Sequence, residues 1–233
     1  MIKLENIYKS FGNRILFENL NVHFEANKTT AILGPNASGK TTLIKIILGL
    51  VRQNKGRVFV NGKDTLKDPS YRRFIGYMPQ IPEFPENLTI KEIVNMVKNL
   101  RNENLKNFDE LVEILNLSNE LNKKFVNLSG GTKQKVGALL AFCFDLPILI
   151  LDEPFIGLDI ISAYNLRSLI MKEKEKGKTI IYISHIISDL EEIADNVIFL
   201  NYGNILFNGS LIELKRKTGK DKLAEAMLCL LNS

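Results

Sequence analysis

The sequence predicts an α/β fold with a mostly parallel core sheet, an N-terminal antiparallel β subdomain and a helical insert. Three observations lead there. First, Ile148–Leu151 and Thr179–Ile183 are unbroken runs of apolar β-formers, and a strand apolar on both faces belongs inside a parallel sheet. Second, Ser162–Lys176 between them has the length of a helix and ends at Gly177, which makes the segment a strand–helix–strand unit. Third, short β-like runs fill the first sixty residues, and helical spacing takes over at about residues 85–140.

The elements follow in order. Ile2–Leu4, Leu20–Phe24 and Thr30–Leu33 read as strands, and Val58–Val60 leads into Asn61-Gly62, a strong hairpin-turn pair. Thr41–Leu50 places Leu43, Ile46, Ile47 and Leu50 on one helical face. In the insert, Ile90, Ile93, Val94, Val97 and Leu100 keep helical spacing, with Thr89 and Glu92 forming a capping box. Asn107 opens a second helix carrying Phe108, Leu111, Val112 and Leu115. After the parallel unit, Ser188 with Glu191 caps a short helix, and Val197–Leu200 and Ile205–Asn208 flank a hairpin turn at Tyr202-Gly203-Asn204.

Composition narrows the function classes. With 233 residues, 45% of them hydrophobic, the chain can bury a core without staples. Its longest uncharged apolar run, Val136–Phe144, falls well short of the roughly 18–20 residues a membrane span needs. The segment Met1–Ser10 lacks the apolar stretch of a signal peptide, so a cytosolic location is expected. Cys143 and Cys229 stand in no paired spacing, which excludes a disulfide scaffold and a cysteine-rich zinc site. The net charge of +5 permits an anionic partner without naming one. Lys172–Lys178 reads as a solvated helix end, Lys215–Lys222 as a basic surface with lipid headgroups as its alternative contact, and His23 as a surface or edge residue.

Gly34-Pro35-Asn36-Ala37-Ser38-Gly39-Lys40-Thr41 follows the pattern GxxxxGK with Ser or Thr at the end. Its glycines let backbone amides curl around phosphate oxygens, and the helix that follows points its positive end at the same anion. In this pattern Lys40 reaches the β- and γ-phosphates of ATP and the Thr41 hydroxyl ligates Mg²⁺, with Thr42 next in the nucleotide-binding run. The second element is Ile148-Leu149-Ile150-Leu151-Asp152-Glu153. An acidic residue at the carboxyl end of a parallel strand sits where α/β sheets bind ligands. Asp152 can hold Mg²⁺ through water, and Glu153 can polarise an attacking water as general base. Together the two motifs point to a P-loop NTPase core of the RecA-like kind.

Leu128-Ser129-Gly130-Gly131-Thr132 makes the reading specific. It resembles the LSGGQ signature of ATP-binding cassette (ABC) ATPases at four of five positions, with Thr132 in place of glutamine. Ser129, Gly130 and Gly131 offer a second phosphate cradle at a helix start. In that family two chains pair head to tail, each signature covering the nucleotide held by the other chain. The resemblance extends to Gln80 after Tyr77-Met78-Pro79, similar to the glutamine that ligates Mg²⁺ and contacts the membrane partner. Gly157-Leu158-Asp159 is similar to the D-loop, His185 to the switch histidine on the γ-phosphate, and Phe11 to the aromatic residue that stacks on adenine, with Tyr8 nearby.

The resemblance covers about Ile2 to Lys217 and looks like the ATPase subunit of an ABC-2-type transporter. The runs Gly76–Gln80, Leu128–Phe144 and Ser184–Leu200 resemble the ATPase associated with copper-site maturation of nitrous oxide reductase. It implies an ATPase domain over residues 1–220, with the helical subdomain inserted and a short C-terminal helix or tail at 221–233. It also implies a second copy or a paralogue as partner, a separate transmembrane permease, no nucleic acid, and a place on the cytoplasmic inner face of the membrane. Two other readings stay open. A soluble ABC ATPase acting on DNA or the ribosome would copurify with nucleic acid, yet Lys40 and Ser129 lie 89 positions apart with no sustained heptads between them. A non-catalytic nucleotide-binding adaptor would bind without turnover.

Overall fold

The computed structural model describes residues 1–184 and 187–231, with the side chains of 187–189 outside that description. The chain divides into two compact units: residues 1–72 with 179–233, and residues 73–178.

The first unit holds two sheets. In one, β1 (Ile2–Phe11) pairs antiparallel with both β2 (Arg14–Phe24) and β4 (Lys55–Val60), and β5 (Lys63–Asp64) adds an edge. Both long strands run well past the expected pieces. Register shifts between Leu4 and Ser10 explain the difference, with Asn6 and Asn19 at positive φ, because each irregularity resets the period-two pattern. The expected Asn61-Gly62 turn joins β4 to β5 with both residues at positive φ, the requirement of a primed hairpin turn.

In the other sheet, β3 (Thr29–Leu33) lies parallel between β8 (Thr179–Ile183) and β9 (Asn196–Asn201), and β10 (Asn204–Ser210) pairs antiparallel with β9. Every residue of β3 and β8 is buried, as the unbroken apolar runs require. Helix α1 (Lys40–Ile47) buries Leu43, Ile44, Ile46 and Ile47. Its carboxyl end is held by Arg72, whose Nε donates to the Leu48 carbonyl at 2.9 Å.

The second unit pairs β6 (Ile75–Met78) in parallel with β7 (Ile148–Asp152). The helices α2 (Ile90–Arg101), α3 (Phe108–Ile114) and α4 (Gly130–Phe142) form the insert, and α5 (Ile160–Glu175) follows β7. The capping box at Thr89 and Glu92 is present. Asn107 does precede α3, but in a left-handed conformation and without a side-chain cap. Gly76 lets α4 lie close on β6: a Cβ there would meet the Ala141 carbonyl oxygen at 2.2 Å.

Two expectations are corrected in this unit. The helix expected from Ser162 begins at Ile160, because Asp159 is the N-cap and accepts from the Ser162 amide at 2.9 Å. The solvated helix end at Lys172–Lys178 contains two buried charges, Glu173 and Lys178, which pair with each other. Lys178 also bonds the half-buried Asp145 at 2.6 Å and Lys176 bonds Glu173 at 2.7 Å, so the buried pair sits inside a four-charge cluster that the alternating pattern concealed.

In the first unit, α6 (Ile187–Ile193) starts one residue before Ser188, which therefore lies inside the helix and not at its cap. A capping box of Ser210 and Glu213 opens α7 (Leu211–Thr218), and α8 (Leu223–Leu231) packs on α6 and α7. His23 is exposed on the edge strand β2, as expected.

Candidate functional site: two phosphate cradles

Residues 34–39 join β3 to α1. Gly34 has φ 144°, Ala37 60° and Gly39 109°. The two glycines are required here. A Cβ on Gly34 would lie 1.9 Å from the Leu200 carbonyl oxygen, and one on Gly39 would lie 2.7 Å from the Phe17 ring. Gly39 is the N-cap of α1 and brings no side chain to the helix's first amides, which leaves the positive end of α1 without a side-chain acceptor.

Ser38 is fully buried and its hydroxyl has no protein partner. A buried hydroxyl of that kind costs free energy unless something bonds it. Lys40 is buried, with Nζ at 2.8 Å from the Gly34 carbonyl oxygen and 2.9 Å from that of Pro35. Thr41 and Thr42 are half-buried, whereas Asn36 and Ala37 are exposed. A backbone cradle, a helix start, a buried ammonium and an unbonded hydroxyl together fit a polyphosphate chain.

Phe11, in the same unit, ends β1 and is half exposed, with Lys9 Nζ 4.4 Å from its ring centre. Tyr8 has Lys55 Nζ 5.7 Å from its ring centre.

The other site residues belong to the second unit. Asp152 ends β7 and is 1% exposed. Burial, followed by the charge of Asp152, pushes the Tyr77 phenol up to about 12. Glu153 comes next, also buried, with φ 52°. Gln80 is exposed, two residues past β6. Among the described residues no group of three or more His, Cys, Asp or Glu could cage a metal. The Asp152 carboxylate at the strand end is an oxygen donor of the kind that Mg²⁺ takes beside substrate phosphates.

Ser129 is the N-cap of α4. Its Oγ accepts from the Thr132 amide at 3.2 Å and bonds the Thr132 hydroxyl at 2.9 Å. The threonine that replaces the usual glutamine thus touches the serine directly. Gly130 is exposed, and a Cβ there would meet nothing within 4 Å. Gly131 lies against the next loop, where a Cβ would be 2.7 Å from the Gly157 carbonyl oxygen. Gly157 has φ 74°, and Asp159 caps α5. Hydrogen bonds from Ser162 are the main cause holding the Asp159 carboxyl below its usual range.

The structure brings Gly34–Thr42 together in the first unit. In the second unit it places Asp152 and Glu153 at one strand end and Ser129, Gly130 and Gly131 at one helix start. His185 lies outside the described residues. Sequence reasoning passed over Gln134, a buried polar side chain in α4. Its sequence setting carried no signal, because Lys133 and Lys135 flank it in a polar stretch.

A glycine loop at a helix start in one unit and an acidic strand end in the other are features that α/β nucleotide-binding proteins carry. Comparison with known proteins supplies the rest: residues 17–156 match the ABC transporter family, and the chain belongs to that family as an ATP-binding, ATP-hydrolysing subunit. The lantibiotic transport ATP-binding protein SrtF of Streptococcus pyogenes is 31% identical over 225 residues, covering 97% of this chain and 95% of the relative. The bacitracin transport ATP-binding protein BcrA of Bacillus licheniformis is 33% identical over 223 residues, covering 94% and 73%. A solved ATP-binding subunit of an ABC transporter superposes with a TM-score of 0.92 at 27% identity, covering 99% of both chains. A dimeric ATP-binding cassette in a post-hydrolysis state with ADP and Pi superposes at 0.80 and 26% identity, covering 91% of this chain and 99% of that one.

Proposed function

We propose that this chain works as one of two head-to-tail ATPase subunits, with a second copy or a paralogue, on the inner face of a separate transmembrane permease. Among the described residues no helix is long and apolar enough to cross a membrane. The observation that carries the reading is the loop Gly34–Lys40, where two glycines at positive φ, the Ser38 hydroxyl and the Lys40 ammonium converge.

In this reading the loop amides and Lys40 hold the β- and γ-phosphates, and Phe11 stacks on adenine. Ser129, Gly130 and Gly131 present the second cradle to the nucleotide of the opposing copy, and His185 contacts the γ-phosphate. Glu153 accepts the proton of the attacking water as the phosphoryl group leaves ADP. Thr41, Gln80 and Asp152 would hold Mg²⁺, which when bound offsets charge on the phosphate oxygens. The remaining work is positioning and electrostatics.

The names of SrtF and BcrA lead us to a peptide-antibiotic cargo and, with the ABC-2 likeness, to export. Copper-site maturation is the competing cargo, and the membrane protein that copurifies with the chain decides between the two.

The phosphate site is tested by Lys40→Ala. Loss of a charged hydrogen bond of about 1.5–3 kcal/mol weakens ATP binding roughly 10–150-fold or abolishes hydrolysis. Full affinity and turnover in that variant refute the assignment.

A further inference from the structure

Gln134 lies in the second turn of α4 and is only 3% exposed. Although Lys133 and Lys135 flank it, its own amide is a buried polar group that must find a partner. The partner is the backbone of Glu153: Gln134 Nε2 donates to the Glu153 carbonyl oxygen at 3.4 Å. The Ile156 amide reaches the same oxygen at 3.2 Å. Glu153 has φ 52°, a left-handed conformation that a side chain with a Cβ adopts only where its surroundings hold it.

Two more ties join the same stretches. Gly131 lies close under the Gly157 carbonyl, and Lys135 Nζ is 3.9 Å from an Asp159 carboxylate oxygen. Residues 131, 134 and 135 of the signature helix therefore lie along residues 153–159, three points on a single rigid element.

We propose that Gln134 is a positioning residue: its buried amide holds the Glu153 carbonyl, fixes that residue's left-handed backbone and thereby aims its carboxylate. The proposal rests on the general-base reading of Glu153. It carries a consequence for coupling. Ser129 caps the same helix, so a displacement of the signature turn is transmitted through Gln134 to the base of its own chain. The helix that serves the partner's nucleotide also sets this chain's catalytic geometry.

The test uses the full chain with MgATP. Gln134→Met keeps the volume and removes the donor. The expected result is a fall in kcat of about tenfold or more with KM for ATP within about twofold. Amide exchange across residues 153–158 accelerates by about tenfold or more. In a Glu153→Gln background, where hydrolysis is already down by orders of magnitude, adding Gln134→Met leaves the residual rate unchanged, because the two act as a unit. Gln134→Asn, one methylene shorter, gives the same split and stands in if the methionine variant does not fold. An unchanged kcat with unchanged exchange overturns the proposal, as does the same fold-loss in both backgrounds. Glu153→Gln with wild-type turnover overturns the base assignment instead.

Discussion

Replacing Gly34 by alanine tests how tightly the phosphate loop is built. The new Cβ would lie 1.9 Å from the Leu200 carbonyl oxygen and 3.0 Å from both the Leu200 carbonyl carbon and Ser38 Oγ. An ordinary contact needs about 3.5 Å, so a backbone atom of β9 must retreat by more than about 1 Å. Overpacking of this kind costs on the order of 1–3 kcal/mol. The φ of 144° adds on the order of 1–3 kcal/mol for a residue with a Cβ. The sum is about 2–6 kcal/mol, and for a chain of this size each kcal/mol moves Tm by about 2–4 °C. A fall of about 10 °C is expected in thermal unfolding followed by circular dichroism without nucleotide. Gly62→Ala is the control. It has φ 79° with nothing within 4 Å of the added carbon, so only the backbone cost of about 1–2 kcal/mol remains. Equal falls in the two variants, or a Gly34→Ala protein that melts within about 2 °C of its parent, would refute the close-packing account.

Lys178→Met leaves the buried Glu173 with only Lys176, at 2.7 Å, as counter-charge and should cost about 1–3 kcal/mol by denaturant unfolding; a loss under about 1 kcal/mol would show that the cluster is not a buried network. The hydrogen bond from Lys178 is the first cause that holds the Asp145 carboxyl below its ordinary value of about 3.9. Its contribution is therefore present above that value and lost as pH falls through the lower folded value. The variant should flatten this acid limb, and an unaltered limb would count against the pairing. Phe11→Ala should weaken binding of labelled ATP about tenfold, the worth of one lost base stack, with Phe11→Tyr restoring it. Equal affinity in all three proteins would remove Phe11 from the adenine site.

The parallel strands were legible because burial on both faces writes a continuous apolar run, and Ile148–Leu151 and Thr179–Ile183 fall on β7 and β8. The phosphate loop was legible because its chemistry sits in eight consecutive residues. Four features were not. The bulged middle of β1 breaks the alternation that marks a strand. The buried pair of Glu173 and Lys178 hides in a charge pattern that, on a helix end, ordinarily faces water. Gln134 was missed because its partner is a backbone carbonyl nineteen positions away, and a main-chain acceptor leaves no residue type to recognise. The Ser129–Thr132 hydroxyl pair was similarly hidden, since the departure from glutamine reads as a mismatch until the contact is seen.

The β9–β10 hairpin adds a temporal consequence for a chain made from its amino end. The Gly203 amide donates to the Ser38 carbonyl at 3.1 Å, the Leu200 carbonyl walls Gly34, and Gly203 sits so close to the Leu16 carbonyl that a Cβ would be 1.7 Å away. The loop proposed to grip nucleotide leaves the ribosome early, but the backbone that shapes it emerges some 160 residues later. Contacts of that sequence separation form slowly and late. A nascent chain halted before Leu200 lacks the wall of its own glycine loop, so under the proposed function nucleotide capture would mark the completion of this unit and not its beginning.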